Sequence, residues 1–359
     1  MKKLRLALSL PFYCLFRALG FPKLLPFNYT LSVTYRCNSR CKTCNIWRFR
    51  YDDEFTTDEW IRTIKSFGKS PFWITVSGGE PFLRGDLEKI VEAIADYNRP
   101  YILNIPTNGL SKNIPERVRK ILEICDGVNV VINFSVDGIG REHDTIRGVR
   151  GNWDAVKRNY FEVKMLKRKY ENLTVGVHTV ISKWNVKRFK EIAVELIKTF
   201  DPDQYITEIA EVREEMKNAE NEPTPSPDDY ADAIDFLIDL ISKRDWKGLA
   251  KITESMRIEY YKYVKNLYLG GTVKVRSFAG FASCQVTPRG DVWECAVYAT
   301  NMGNLRDYDY DFRKLWKSPK ADEVRSVVKK GHICPLANEN YVNMLFDPKV
   351  VMRVLRNVL

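Results

Sequence analysis

The 359-residue chain has no apolar run long enough to cross a bilayer unbroken. Its most apolar stretch, Met1 to Phe27, is interrupted by Arg5, Pro11 and Arg17, whereas a span needs about 20 consecutive apolar residues. No small-x-small cleavage site follows it, which argues against a secretory signal. No aromatic–basic recognition module is present, so no nucleic-acid partner is expected. Cysteines are few, eight in all, and a chain this large needs no disulfide staples. Unpaired thiols belong in a reducing compartment, so a cytoplasmic protein is expected. No fourth cysteine stands beside the one tight cluster of three, which argues against a four-ligand structural zinc site.

What is present begins with charge. The net value of +11 suits an anionic partner such as a membrane surface or an acidic substrate. Lys2, Lys3 and Arg5 precede Leu6, Leu8, Leu10, Phe12, Leu15, Phe16, Leu19 and Phe21. Such a basic, amphipathic segment (residues 1–28) lies in a membrane interface or packs on its own enzyme. The first reading places the protein peripherally at the inner membrane face. Cys14, within it, reads as a small hydrophobe.

Cys37, Cys41 and Cys44 form a Cys-x3-Cys-x2-Cys cluster just after the β-branched run Tyr29 to Val33. That run predicts a strand, and the thiols fall on the loop leaving its carboxyl end, where open α/β proteins keep ligands. Three thiolates on a four-iron cluster leave one iron open for chemistry. Strands and helices then alternate. Strands are predicted at Trp73 to Val76, Tyr101 to Ile105, Asn129 to Val136, Leu173 to Ile181 and Gln204 to Val212, six with the first. Thr56 to Glu59 reads as a capping box, Cys125 falls on a buried helical stripe, and Asn185 reads as a helix cap. Repeated units of this kind build a parallel sheet.

The cysteine spacing resembles the signature of the radical S-adenosylmethionine (SAM) superfamily, and further motifs stand where its strands end. Ser77-Gly78-Gly79-Glu80-Pro81 is similar to the stretch that holds the amino group of SAM. Thr107-Asn108-Gly109 makes Asn108 a candidate for the SAM site. Ser135 and Asp137 occupy the position that meets ribose hydroxyls. Arg147, in His143-Asp144-Thr145-Ile146-Arg147-Gly148, would pair with the SAM carboxylate, and His178 stands where adenine contacts lie. One departure is Thr43, where an aromatic residue is common. The resemblance implies an α/β fold with a partial (β/α)6 barrel over residues 29–213, and a cluster that cleaves SAM reductively to a 5′-deoxyadenosyl radical. A ferredoxin or flavodoxin would supply the electron.

Residues 214–226 read as a polar linker opening a helical region, 214–270, with helices near Asp228 to Ser242 and Trp246 to Leu267. Beyond it, Cys284, Cys295 and Cys334 form a second set, with a Pro-Arg-Gly-Asp turn predicting a hairpin that joins the first two. Gly290 and Cys295, then Asn301 to Leu305, resemble the SPASM and twitch extensions, which implies a small α+β domain over 271–346 holding an auxiliary iron–sulfur cluster. Three cysteines are fewer than the larger SPASM pattern has, and His332, Glu339 or the substrate would complete the ligand set. A basic apolar helix, Pro348 to Leu359, ends the chain. The expected substrate is a membrane lipid or isoprenoid chain, on the strength of the basic N-terminus. The alternative is a peptide, as for a peptide (RiPP-type) or protein maturase; a basic nucleic-acid-binding metalloprotein is the remote third.

Overall fold

A computed structural model describes residues 2–49, 52–243, 249–272 and 275–358. The helix starts and ends expected at Trp246 and Leu359 lie outside these. Six parallel strands form the barrel: β1 (Asn28–Thr34), β2 (Trp73–Gly78), β3 (Ile102–Thr107), β4 (Asn129–Ser135), β5 (Leu173–Ile181) and β6 (Gln204–Ile209). They stand in sequential order, with helices packed outside. Three more strands continue the same sheet from β1: β7 (Ser283–Val286), β8 (Asp291–Trp293) and β9 (Asn301–Asn304). β7 runs parallel to β1, with Asn28 opposite Ser283 and Leu31 opposite Val286, while β8 and β9 are antiparallel. The extension is thus built onto the barrel's own wall.

Strand alternation sorts the two faces of that wall. Leu103, Ile105, Ile132 and Phe134 belong to the apolar core. Their neighbours Asn104 and Asn133 turn to the lumen, where Asn133 Nδ2 donates to Asn104 Oδ1 at 2.9 Å and Gln204 Nε2 donates to Asn133 Oδ1 at 2.9 Å. Gly176 on β5 leaves room for that last bond, because a Cβ there would sit 2.1 Å from Asn133 Oδ1.

The capping box forms as expected: Thr56 accepts from the Glu59 amide, and Glu59 Oε2 accepts from the Thr56 amide at 2.7 Å. Asn185 differs from expectation. Its side chain makes no cap bond; instead it donates to the Asp137 and Val180 carbonyls and accepts from the Ser182 amide, tying the β4 exit to the end of β5. β6 stops at Ile209 and not Val212, so Glu211 and Arg213 lie on the loop beyond it.

Helix α1 (Lys2–Leu19) crosses the amino-terminal ends of the strands. Tyr13 meets Phe27, just ahead of β1, with ring centroids 5.3 Å apart, and Phe16 meets Phe281, just ahead of β7, at 5.2 Å. Lys2 donates to the Pro100 carbonyl at 3.1 Å, and Lys3 lies over the Tyr101 ring, both ahead of β3. Among the described residues no helix is long and apolar enough to cross a membrane.

Candidate functional site

The motifs expected at the carboxyl ends of the strands meet at one mouth, opposite α1. The loop after β1 carries Cys37, Cys41 and Cys44, all three half-buried. Burial pushes the Cys37 and Cys44 thiols up to about 12 and raises Cys41 as well. Thiolates here therefore need a bound cation, which is what a metal ligand set provides. Arg147 Nη1 lies 3.8 Å from Cys41 Sγ, and Asn108 Nδ2 lies 3.9 Å from Cys37 Sγ while also donating to Asn38.

Two clasps hold this loop. On one side the Arg40 and Lys42 amides donate to the Arg147 and Ile146 carbonyls, each at 2.9 Å. On the other, Asn218 Nδ2 donates to the Thr43 carbonyl at 2.8 Å and Asn221 Nδ2 to the Lys42 carbonyl at 2.7 Å. Asn45 returns the contact, donating to the Lys217 carbonyl at 2.9 Å. Residues 214–226 are thus no free linker. Sequence reasoning passed over Asn218 and Asn221, whose one visible signal is two asparagines in a polar stretch.

Glu80 is buried, and its carboxylate accepts from the Phe82 and Asn108 amides and from Thr107 Oγ1 at 2.9 Å. Burial raises it to about 7 against those bonds. Gly78 and Gly79 let two backbone segments meet closely. A Cβ on Gly79 would lie 2.4 Å from the Arg36 carbonyl oxygen, and one on Gly78 2.1 Å from that of Thr34. The glycines let the Glu80 turn press against the cysteine loop. Asp137 is committed to protein partners: Oδ2 pairs with Arg147 at 2.7 Å and Oδ1 accepts from the Val180 amide. Arg147, expected toward a carboxylate of SAM, has this internal one. Ser135 is half-buried at the β4 end, beside that pair. His143 accepts from the Asp137 amide, and burial lowers it to about 4, so it is neutral. His178 Nε2 is 3.6 Å from Glu208 Oε2.

Where the chain leaves β6, charge accumulates beside the mouth. Arg213 lies 3.1 Å from Glu211 and 3.7 Å from Glu208. Glu215 accepts from Ser32 Oγ at 2.7 Å and from Gln285 Nε2 at 2.5 Å. Burial lifts Glu211 to about 7 and raises Glu215.

The second cysteine set is divided. The hairpin forms, with Gln285 opposite Trp293, but it does not deliver Cys284 to Cys295. Ser283 and Gln285 point inward to Glu339 and Ser32, so strand alternation turns Cys284 outward into the main core. Cys295 and Cys334 share the other core cluster and are hydrogen-bonded. His332 Nε2 is 3.1 Å from Cys295 Sγ, and the donor atoms of Glu294, Cys295 and His332 all lie within 4.8 Å of one another. Contact with Cys334 and His332 holds the Cys295 thiol low, while burial raises Cys334. Glu294 Oε2 and His332 Nδ1 are buried without a hydrogen-bond partner. Glu339 is instead bonded to Ser283 at 2.5 Å. Cys14 is exposed on α1 and Cys125 is buried in the core, as packing.

Residues 31–196 match the radical SAM superfamily model, and residues 278–337 match that of an iron–sulfur cluster-binding domain, SPASM. The chain is a radical SAM protein with a SPASM region. Molybdenum cofactor biosynthesis protein 1 of Dictyostelium discoideum is 34% identical over 160 residues, 43% of this chain and 24% of that protein. The chain thus spans well under half the length of the curated relatives it matches first. Mycofactocin maturase MftC of Mycolicibacterium smegmatis is 25% identical over 310 residues, 81% of this chain and 70% of that one. Among solved structures, anSMEcpe with bound AdoMet superposes with TM-score 0.62 at 14% identity, covering 92% of this chain and 96% of that one. Streptococcus suis SuiB bound to precursor peptide SuiA gives 0.59 at 14%, covering 87% and 69%. These two share the fold.

The cofactors of a radical SAM protein with SPASM are a four-iron cluster with SAM and an auxiliary iron–sulfur cluster. The radical SAM site fits: three half-buried thiols stand on one short loop, with the Arg147 guanidinium beside Cys41. The SPASM site fits a cluster with mixed ligands, since two thiols stand with an imidazole and a carboxylate whose free atoms lack partners. Imidazole in place of thiolate is established in two-iron clusters.

Proposed function

We propose that this protein is a radical SAM enzyme acting on a peptide. The four-iron cluster, when bound, supplies the electron that breaks SAM to methionine and a 5′-deoxyadenosyl radical, which takes hydrogen from an unactivated carbon. Cys37, Cys41 and Cys44 hold that cluster, Glu80 receives the SAM ammonium, and Asn108 and Arg147 fix the rim around it. A ferredoxin or flavodoxin delivers the electron.

The observation that carries the substrate class is the lumen wall. Asn104, Asn133, Gln204, Ser32, Gln285 and three glutamates around Arg213 present hydrogen-bonding groups and an excess of carboxylate. Amide and cationic groups find further acceptors on such a wall, while an alkyl chain would take its carboxylates out of water and give no bond in return. The MftC match, longer than that to the molybdenum cofactor protein, supports the same reading. The lipid expectation rested on the N-terminal segment, which lies at the opposite end of the barrel from the mouth. The test is anaerobic deoxyadenosine formation with peptides encoded beside this gene, compared with isoprenoid lipids. Stimulation by peptide is expected; stimulation by lipid alone would reverse the assignment.

In the SPASM region Cys295, Cys334, His332 and Glu294 bind the auxiliary cluster. Cys295→Ala is expected to remove the auxiliary iron, counted after anaerobic reconstitution, whereas Cys284→Ala retains it. Iron loss in the Cys284 variant would return that thiol to the ligand set.

A further inference from the structure

One side chain joins the cysteine loop to the charged stretch that leaves β6. Asn218 is fully buried, and its carboxamide bonds to main chain on both sides. Nδ2 donates to the Thr43 carbonyl at 2.8 Å and to the Glu211 carbonyl at 2.9 Å, and Oδ1 accepts from the Arg213 amide at 2.9 Å. The Thr43 carbonyl belongs to the peptide that precedes Cys44. The Cys44 amide donates to the Cys41 carbonyl at 3.2 Å, and the Cys44 carbonyl accepts from Trp47 Nε1 at 3.0 Å. A peptide unit is planar, so holding its oxygen holds its plane. Both planes that meet at Cys44 are held in this way, and with them the direction in which its sulfur leaves the main chain. The side chain of Asn221 reaches the loop alone, donating to the Lys42 carbonyl at 2.7 Å and exchanging bonds of 3.1 Å with Asn45.

We propose that Asn218 is a positioning residue of the radical SAM centre, setting the aim of the Cys44 sulfur relative to the Glu211–Arg213 pair. This rests on the reading of Cys44 as a cluster ligand and of that pair as part of the wall that substrate meets. The amide that Asn218 accepts from is that of Arg213, whose guanidinium lies 3.1 Å from Glu211 and 3.7 Å from Glu208. One carboxamide therefore keeps the radical source and the charged wall in fixed relation. Hydrogen-atom transfer depends on that relation, because it needs the reacting atoms in near-contact geometry. The backbone beside Asn218 is strained. Lys217 adopts φ +47, a left-handed conformation unfavourable for a residue with a side chain, and its carbonyl accepts from Asn45 Nδ2 at 2.9 Å. Strain of this kind persists only where surrounding bonds over-determine it, and it gathers at functional sites. Groups that orient a ligand from behind tune what the ligand holds.

The test compares Asn218→Ala with Asn221→Ala in the full chain after anaerobic reconstitution. Three readouts are taken on each sample: the change in the electron paramagnetic resonance spectrum of the reduced protein on adding SAM, KM for SAM in reductive cleavage, and the melting temperature. Asn218→Ala is expected to alter the SAM-dependent spectral change and to raise KM for SAM about tenfold. Asn221→Ala loses a bond to the same loop and should lower the melting temperature with a clearly smaller change in spectrum and KM. If Asn218→Ala melts earlier but keeps the wild-type spectrum and KM, its role is structural and the proposal is overturned. Equal changes in the two variants overturn it as well, since any lost bond to the loop would then suffice. Asn218→Ser keeps one hydroxyl donor and carries the same comparison if the alanine variant does not fold or hold iron. Cys44→Ala separates this proposal from the reading beneath it. Full iron in that variant defeats the ligand assignment itself, whereas iron loss there with an unaltered Asn218→Ala spectrum defeats only the positioning role.

Discussion

Cys41→Ala is expected to reduce deoxyadenosine formation to background and to remove about four irons per chain. Cys41 is half-buried in its loop, 3.8 Å from the Arg147 guanidinium. Its sulfur holds one corner of the radical SAM cluster, and no other thiol among the described residues stands near enough to replace it, since Cys284, Cys295 and Cys334 belong to other clusters. Arg147 keeps its 2.7 Å pairing with Asp137 in the variant, so no buried charge is left uncompensated and the fold should persist. The measurement is iron content with deoxyadenosine yield on the same anaerobic sample, alongside a thermal melt. Full iron and normal yield would mean that the cluster is held elsewhere.

Gly148→Ala is expected to have the largest effect of any change away from the sulfurs. Gly148 adopts φ +68, and a Cβ on it would lie 2.2 Å from the Arg40 carbonyl oxygen. That carbonyl belongs to the cysteine loop, between Cys37 and Cys41. The added methyl would push the loop off the Arg147 and Ile146 carbonyls that its amides now meet. A backbone clash added to left-handed strain should cost about 3 kcal/mol, and the displaced loop should hold its iron poorly. Gly151→Ala is the control. Gly151 is left-handed like Gly148, with φ +80 and ψ +8, but nothing lies within 4 Å of its Cβ position, so only strain of about 1–2 kcal/mol applies. Urea denaturation and iron retention on both variants separate the two effects. Equal losses would show that strain, and not the contact with Arg40, explains Gly148.

The barrel was legible because each of its signals is local. Alternating apolar runs, the Thr56 capping box and the motif at each strand end can be read from a few consecutive residues, and all six strands stand where those signals put them, with β6 three residues shorter. The clasp on the cysteine loop was not legible. Asn218 and Asn221 reach Thr43 and Lys42 across about 175 positions of chain, and no local pattern distinguishes such asparagines from those of an exposed loop. Cys284 misled for a related reason. Its spacing from Cys295 is right for a hairpin, but which face a strand residue takes depends on the register with β1, and one position decides between core and metal. Asp137 and Arg147 were each assigned to a ligand because each is the right type at the mouth; their pairing with one another is a property of the fold.

The strand shared by both halves has a consequence for the chain as a whole. β7 lies along β1 from Asn28 to Leu31, so the SPASM strands cover what would otherwise be the open flank of the first barrel strand. Without them, β1 would offer a row of unsatisfied amides and carbonyls to any passing chain, which is the template for aggregation. The SPASM region is therefore part of what keeps the radical SAM half from associating with itself, and it is not a detachable accessory.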